Sequence, residues 1–516
     1  MATKQIQDLG KGGVIKDTPP MILPENILTD ARNVRFNNNS IQSIRGDGTY
    51  RVLTAITPEY GIHWRRPDQG YDIFLNDGIG YRVDAGGSES VVLNSVDAKY
   101  TNSVWDCITY NGGYAIVINN GKSTPLYMLY GDPVAGASFQ ELPNWNYVAG
   151  LTVTAKVVRS LGYSLVAANL TLVDGGITTY APSTIRISTQ ASTGNIPDTW
   201  APGLTTDTAD EFEVSSTSPI LDMQELRGNM YIYSSDAINV LSLRGGVASV
   251  APYSGDHGVL NTGCVVEFEG GHFVVDSNDI YTHSGSGGFK SLVEGRMKDY
   301  FFGNLNRSAY EKVFVKLNPL YKEIWVFYPK GASTVCNEVM IYNYSTDTWT
   351  MRDIDSALSG FLGPALSGGA YGYSKKELHV IVSGKKRILK MDDGNSLYSA
   401  TTDAFSAMTA YVVRERLNTG DTSGSVQVSA LLPVFDKTTP GALMSVIMTS
   451  QNNYSDAADF SDTSGRDTTT IDPSSDASGY RVDPRVAGRV LNYKITGQAP
   501  WRLALLGIDV QQSGRR

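Results

Sequence analysis

The sequence has 516 residues, 41% of them hydrophobic and only 18% charged, with 29 Tyr and 52 Gly. That composition excludes a disordered chain and leans towards strands and turns. The net charge of −9 is spread without a Lys/Arg-rich block, which argues against tight direct binding to nucleic acid phosphates.

Residues 1–27 include Gly10, Gly12, Gly13, Pro19, Pro20 and Pro24, too many breakers for regular structure, and are expected to form an extended arm on a surface. This stretch lacks the apolar core of a signal peptide, and no run approaches the ~20 apolar residues of a membrane helix. A short hairpin is expected next, with Val34, Phe36, Ile41 and Ile44 as its apolar positions.

A unit then recurs in which a Gly or polar turn leads into a strand apolar on both faces, then a second turn and a second strand. It begins at Gly70, Gly113, Gly162, Gly228, Gly271, Tyr321 and Lys376, at intervals of about 40 to 65 residues. The stretch Val313–Arg352 shows it most plainly. Ile324, Val326 and Tyr328 face one way and Trp325 and Phe327 the other, so both faces of that strand need cover. A meander buried on both sides suits a blade between two other blades, and the recurrence predicts an all-β protein, an irregular β-propeller of about six to eight blades over residues 28–400. Trp325, Phe327, Ile341, Phe273, Val275, Ile232, Val117 and Leu75 are its expected core.

Asp174 to Val214, with Pro182, Pro197 and Pro202, reads as a long loop insertion, and Gly295 to Asn304 as a short helix. After Asp393 the repeat stops. Residues 401–516 are expected to form a small C-terminal β-domain that includes a Ser/Thr/Asp-rich loop, Thr449 to Gly479.

Few residues invite chemistry. Cys107, Cys264 and Cys336 are far apart with no CxxC, so neither a zinc spacing nor a disulfide framework is present, and a reducing cytoplasm is the expected place of folding. His272 and His283, with Asp276 and Asp279 between them, lack a third nitrogen or sulfur ligand nearby and read as structural residues rather than a metal site. Asp77-Gly78 and Asp392-Asp393-Gly394-Asn395 read as turns, because the bidentate Glu of a calcium loop is missing. Gly10-Lys11-Gly12-Gly13 lacks P-loop spacing, and no GxSxG occurs. No catalytic residue, metal or cofactor is assigned, and the chain is expected not to be an enzyme, although paired carboxylates for sugar cleavage need only proximity in the fold.

The segment YKEIWVFYPKGASTVCNEVMIYNYSTDTWTMRD resembles one found in tail nozzle or tail hub proteins of short-tailed bacteriophages, some of them named packaged-DNA stabilisation proteins. LTDARNVRFNNNSIQSIRG, AKVVRSLGYSLVAANL, STIRIST with PDTW, ILDMQELRGNMYIYSSDAINVLSLRGG, HGVLNTGCVVEFEGGHFVVDSNDIYTHSG with GRMKDYFF, and GRVLNYKIT with WRLALLGIDV and GRR follow that family's order. Together they cover most of Leu28 to Arg516. Kelch propellers share a phrase like YSTDTW, but the repeated Gly-Gly pair of kelch blades is absent, as is the Asp-box of sialidases. The resemblance implies a structural virion protein made in the host bacterial cytoplasm. Six copies would form a ring with the tail adaptor and with fibre or spike proteins, extend the tail tube, and gate duplex DNA that passes without sequence-specific binding. Ser284 to Gly288 and Thr449 to Gly479 are the expected gating loops. The alternative is a carbohydrate-binding or glycan-cleaving propeller used in host recognition.

Overall fold

The computed structural model describes residues 2–512 apart from 38, 67–68, 131–137, 204–207, 217, 418–424, 439–442, 462–467, 473–480 and 499. Its organising unit is a four-stranded antiparallel meander. The first comprises Tyr60–Arg65, Gly70–Asn76, Ile79–Val83 and Glu89–Asn94. Its central turn is Asp77-Gly78, with Asp77 at φ 47 as a two-residue hairpin requires. A Cβ on Gly78 would meet the Ser95 carbonyl oxygen at 2.0 Å, so only Gly fits under the link to the next blade.

Four more meanders follow, between Asp106 and Glu141, Leu151 and Glu213, Ile220 and Ser254, and Val265 and Ser291. The sixth consists of Phe314–Asn318, Glu323–Tyr328, Cys336–Asn343 and the first part of the long strand Thr348–Ser367. That long strand runs on to become the innermost strand of a seventh blade, completed by Ala370–Val382, Arg387–Met391 and, from the other end of the sequence, Asp47–Val52. Innermost strands touch in chain order, and Thr348–Ser367 touches Tyr60–Arg65, closing the circle. The chain is therefore an all-β, seven-bladed propeller, sealed by an N-terminal strand in its last blade. Each of the seven recurring units supplies the central strands of one blade.

Burial follows from the two-faced strands. Ile324, Val326 and Tyr328 enter one hydrophobic cluster, while Trp325 and Phe327 enter another on the opposite face. All eight expected core residues are buried. The expected helix is present as Lys298–Asn304, with backbone N–H groups of its first turn donating to the Asp17 carboxylate at 2.9 and 3.1 Å.

Ser396–Ser399 and Ala404–Ala407 pair as a separate two-stranded hairpin, and the remaining strands form two further sheets that share a core with the fifth and sixth blades. One runs Val34–Asn37, Ser40–Ser43, Trp501–Gln512, Val426–Thr438, Val486–Gly488, with Ala2–Ile6 also on Trp501–Gln512. The other runs Asp30–Arg32, Ala410–Leu417, Val490–Gly497, Met444–Gln451, Thr468–Ile471, and Asp30–Arg32 joins it to the outer strand of the sixth blade.

Four expectations are corrected by this pairing. The expected boundary at residue 28 does not divide the sheets, because residues 30–43 pair with C-terminal strands. The arm 1–27 is built into the fold, with Leu9 and Val14 fully buried and the Arg414 guanidinium donating to the Pro20 and Leu23 carbonyl oxygens. Asp174 to Val214 is not a loop insertion. It holds Ile177–Ile187 and Asp210–Glu213, the outer half of the third blade, and Pro182 sits where Ile177–Ile187 has outrun its outer neighbour, as an edge proline does. The polar tract Thr449 to Gly479 begins inside Met444–Gln451 and returns as Thr468–Ile471 with Ile471 buried, while 462–467 and 473–479 lie outside the described residues.

Candidate functional site

Polar groups gather at four places. The first is the ring of innermost strands. Arg159, in the third blade, donates to Asp106 of the second and, at 2.5 Å, to Asp222 of the fourth, so one guanidinium ties three blades. Asp222 also accepts from the Met223 and Gly263 N–H groups, both at 2.8 Å. Lys316, in the sixth blade, feels the charges of Asp106, Arg159 and Asp222. Burial pushes the Asp222 carboxyl up against the pull of Arg159, and burial pushes the Lys316 ammonium down.

The second lies at the seam between the seventh and first blades. Asp72, wholly buried, accepts from Tyr50 Oη at 2.9 Å, Arg51 Nε at 2.8 Å, Tyr371 Oη at 3.0 Å and His63 Nδ1 at 2.8 Å. His63 Nε2 lies 3.3 Å from Tyr373 Oη, whose ring carries the Arg65 guanidinium 4.4 Å from its centroid. Burial opposes ionisation of Asp72, but His63 and Arg51 outweigh it and hold its carboxyl below the usual range. Burial pushes the Tyr373 phenol up, the reverse of what an activated nucleophile needs. A buried acid orienting a His towards a hydroxyl has the form of a catalytic relay, yet here it clamps the hairpin Thr348–Ser367/Ala370–Val382 onto the first blade.

The third is the His272/His283 pair. His272 Nε2–H donates to the Glu225 carbonyl oxygen at 3.2 Å, so its Nδ1 accepts from Tyr233 Oη at 2.6 Å. The phenol oxygen then accepts from His283 Nε2–H at 2.7 Å, and His283 Nδ1 is left without a partner. One backbone carbonyl thus fixes both tautomers. Burial pushes His272 down to about 4 and His283 down to about 3. Asp276 and Asp279 turn away, accepting from Ser277 N–H and Ile280 N–H. Among the described residues no three His, Cys, Asp or Glu side chains are grouped to hold a metal ion. The three cysteines are buried and unpaired.

The fourth joins the extra sheets to the propeller. Arg32 pairs with Glu338 and Asp353, both at 2.6 Å, and Arg35 pairs with Glu323 and, at 3.1 Å, with Asp392. Burial opposes ionisation of Glu338, but Arg32, Tyr328 and Lys330 hold its carboxyl below the usual range.

Of the two expected gating loops, Ser284 to Gly288 is the turn before Lys290–Ser291. Tyr231 Oη donates to the Gly285 carbonyl oxygen at 3.2 Å and Tyr253 Oη to that of Gly287 at 3.3 Å. Sequence reasoning weighed His272 and His283 but passed over His63, Asp72, Arg159 and Asp222. Only strand register brings their partners together.

No family model matches the chain, and no curated protein matches it. Among solved structures, a streptogramin B lyase has TM-score 0.41 and 11% identity, covering 67% of this chain and 97% of that one. Virginiamycin B lyase from Staphylococcus aureus has TM-score 0.41 and 10% identity, covering 66% and 97%. Chaetomium thermophilum Raptor has TM-score 0.40 and 10% identity, covering 68% and 30%. Likenesses this slight carry no functional argument, and the propeller rests on its strand pairing. Among the described residues no helix is long and apolar enough to cross a membrane.

Proposed function

We propose that the chain is a structural virion protein, the tail nozzle subunit of a short-tailed bacteriophage. Six copies would form a ring below the adaptor that extends the tail tube, contacts fibre or spike proteins, and retains packaged DNA until ejection. The ordered family-like segments from Leu28 to Arg516 suggest this reading.

The observation that carries it furthest is the Asp106–Arg159–Asp222 bridge across the innermost strands. It ties the innermost strands of three successive blades together, which gives a subunit the stiffness that a ring bearing load needs. The sheets beside the sixth blade share its core, so forces on one part reach the other without a linker. Catalysis is not part of this reading, in which the Asp72 carboxylate, saturated by four donors, serves to clamp the seventh blade onto the first. An acidic chain beside DNA lets the duplex slide, whereas a basic lining would hold it.

Negative-stain imaging of the purified protein tests this. Rings of copies are expected. A monomer that cleaves or binds glycans would instead favour a host-recognition propeller.

A further inference from the structure

A cleft of about 210 Å³ opens at one end of the fourth blade, between the turn at Ala237, the end of Val247–Ser254 and Ser215 on the segment leaving the third blade. Among the described residues no charged side chain lines it. A β-bulge between Ile238 and Asn239 shifts the register there, and bulges re-aim side chains. Asn239 is 2% exposed, and its Oδ1 accepts from Ser215 Oγ at 3.4 Å. Among the described residues its amide nitrogen donates to no protein acceptor. That nitrogen is not among the sealed side-chain atoms left without a partner, so it reaches the open side of the cleft, where a ligand oxygen can accept its N–H groups. Ser254 Oγ, 3.1 Å from His257 Nδ1, adds a hydroxyl, and Ala237 and Pro252 supply apolar surface. Tyr253 is no stacking platform, since its ring stands edge-on to Tyr231 and its hydroxyl is spent on Gly287.

We propose that this cleft binds one neutral sugar ring of a larger glycan. A charged ligand would lose its hydration with no counter-charge to replace it. The volume suits a single ring rather than the larger ligands that pockets of about 300–1,000 Å³ accept. A sugar offers hydroxyl oxygens to the Asn239 donors and C–H faces to Ala237 and Pro252. The site does not depend on the nozzle reading, since it lies within one subunit.

The test uses the full chain and saturation-transfer NMR with methyl glycosides of glucose, galactose, N-acetylglucosamine and rhamnose. At least one is expected to bind. Asn239→Ala is expected to weaken that binding about tenfold, the loss of one or two hydrogen bonds, with the thermal midpoint retained. Should Asn239→Ala fail to fold, Asn239→Ser and Ser215→Ala read the same contact. No transfer from any of the four at ~100 mM glycoside, a far weaker regime than specific recognition, overturns the proposal. Binding untouched by all the folded variants overturns it equally.

Discussion

Arg352 Nη2 and Asp47 Oδ1 lie 2.6 Å apart, separated by 305 positions of sequence and sealed at 0% and 1% side-chain exposure. Asp47 opens the strand that seals the seventh blade, and Arg352 lies in the outer strand of the sixth, its guanidinium 5.1 Å from the Trp325 ring centroid. The other Asp47 oxygen accepts from the Tyr398 N–H at 3.0 Å. Asp47→Ala strands a buried cation and is expected to cost about 3–5 kcal/mol. Asp47→Asn combined with Arg352→Met is expected to recover much of that loss. Chemical denaturation of the single and double variants checks it, and strictly additive losses would show that the two charges do not depend on one another.

Trp325→Ala is a large-to-small change at a side chain with no exposure, which also frees Glu323 of the indole N–H it accepts at 2.9 Å. A loss of about 3–5 kcal/mol is expected. An unchanged denaturation midpoint would place the strand outside the interior.

Acid should destabilise the protein well before its carboxylates titrate. Burial pushes His272, His283 and His379 down to about 4, about 3 and about 4. An unfolded histidine takes its proton near pH ~6.5, so below that the unfolded chain binds protons that the folded one refuses. The contribution is complete above pH ~6.5 and is lost as pH falls, by up to about 1.4 kcal/mol per pH unit for each histidine. Urea midpoints measured between about pH 7.5 and about pH 5 should fall, and His379→Phe should flatten the slope. A level midpoint across that window contradicts the buried neutral histidines.

Deleting all of Thr449 to Gly479 removes the end of Met444–Gln451 and the whole of its partner Thr468–Ile471, so it is expected to destabilise the adjoining sheet. Replacing residues 453–466 alone by Asn-Gly spares both strands, and an unchanged circular dichroism melt is expected. Loss of folding in the shorter replacement would show that the replaced residues hold core contacts.

What could be read before the structure was known depended on how local the cause was. Trp325 and Phe327 alternate with Ile324, Val326 and Tyr328 within five residues, so their burial on two faces was legible, and so were the recurring units that became blades. The hairpin of Val34 to Ile44 was also legible, because Val34–Asn37 pairs with Ser40–Ser43 across a tight turn. Its allegiance was not, since that depends on Trp501–Gln512 arriving to pair with Ser40–Ser43. Ile177–Ile187 was misread because four of its first residues face solvent and carry no apolar alternation. The Asp72 cluster was illegible for the reason that hides Asp47 from Arg352. Tyr371 lies 299 positions from the acid it serves, and no window of sequence holds both.

The meeting of Ala2–Ile6 and Ser40–Ser43 with Trp501–Gln512 imposes an order on biosynthesis. During vectorial translation the early strands leave the ribosome with open edges and stay so until nearly five hundred further residues have been made. Blades one to six can close as they emerge, because each uses neighbouring strands. The first of the outer sheets cannot close until Trp501–Gln512 is translated, and the second waits for Val490–Gly497. Nascent chains that terminate early therefore carry a finished set of blades beside unsatisfied strand edges, which quality-control chaperones and proteases recognise. The late strand thereby separates chains that have reached Trp501–Gln512, with the edges of Ala2–Ile6 and Ser40–Ser43 covered, from chains that have not.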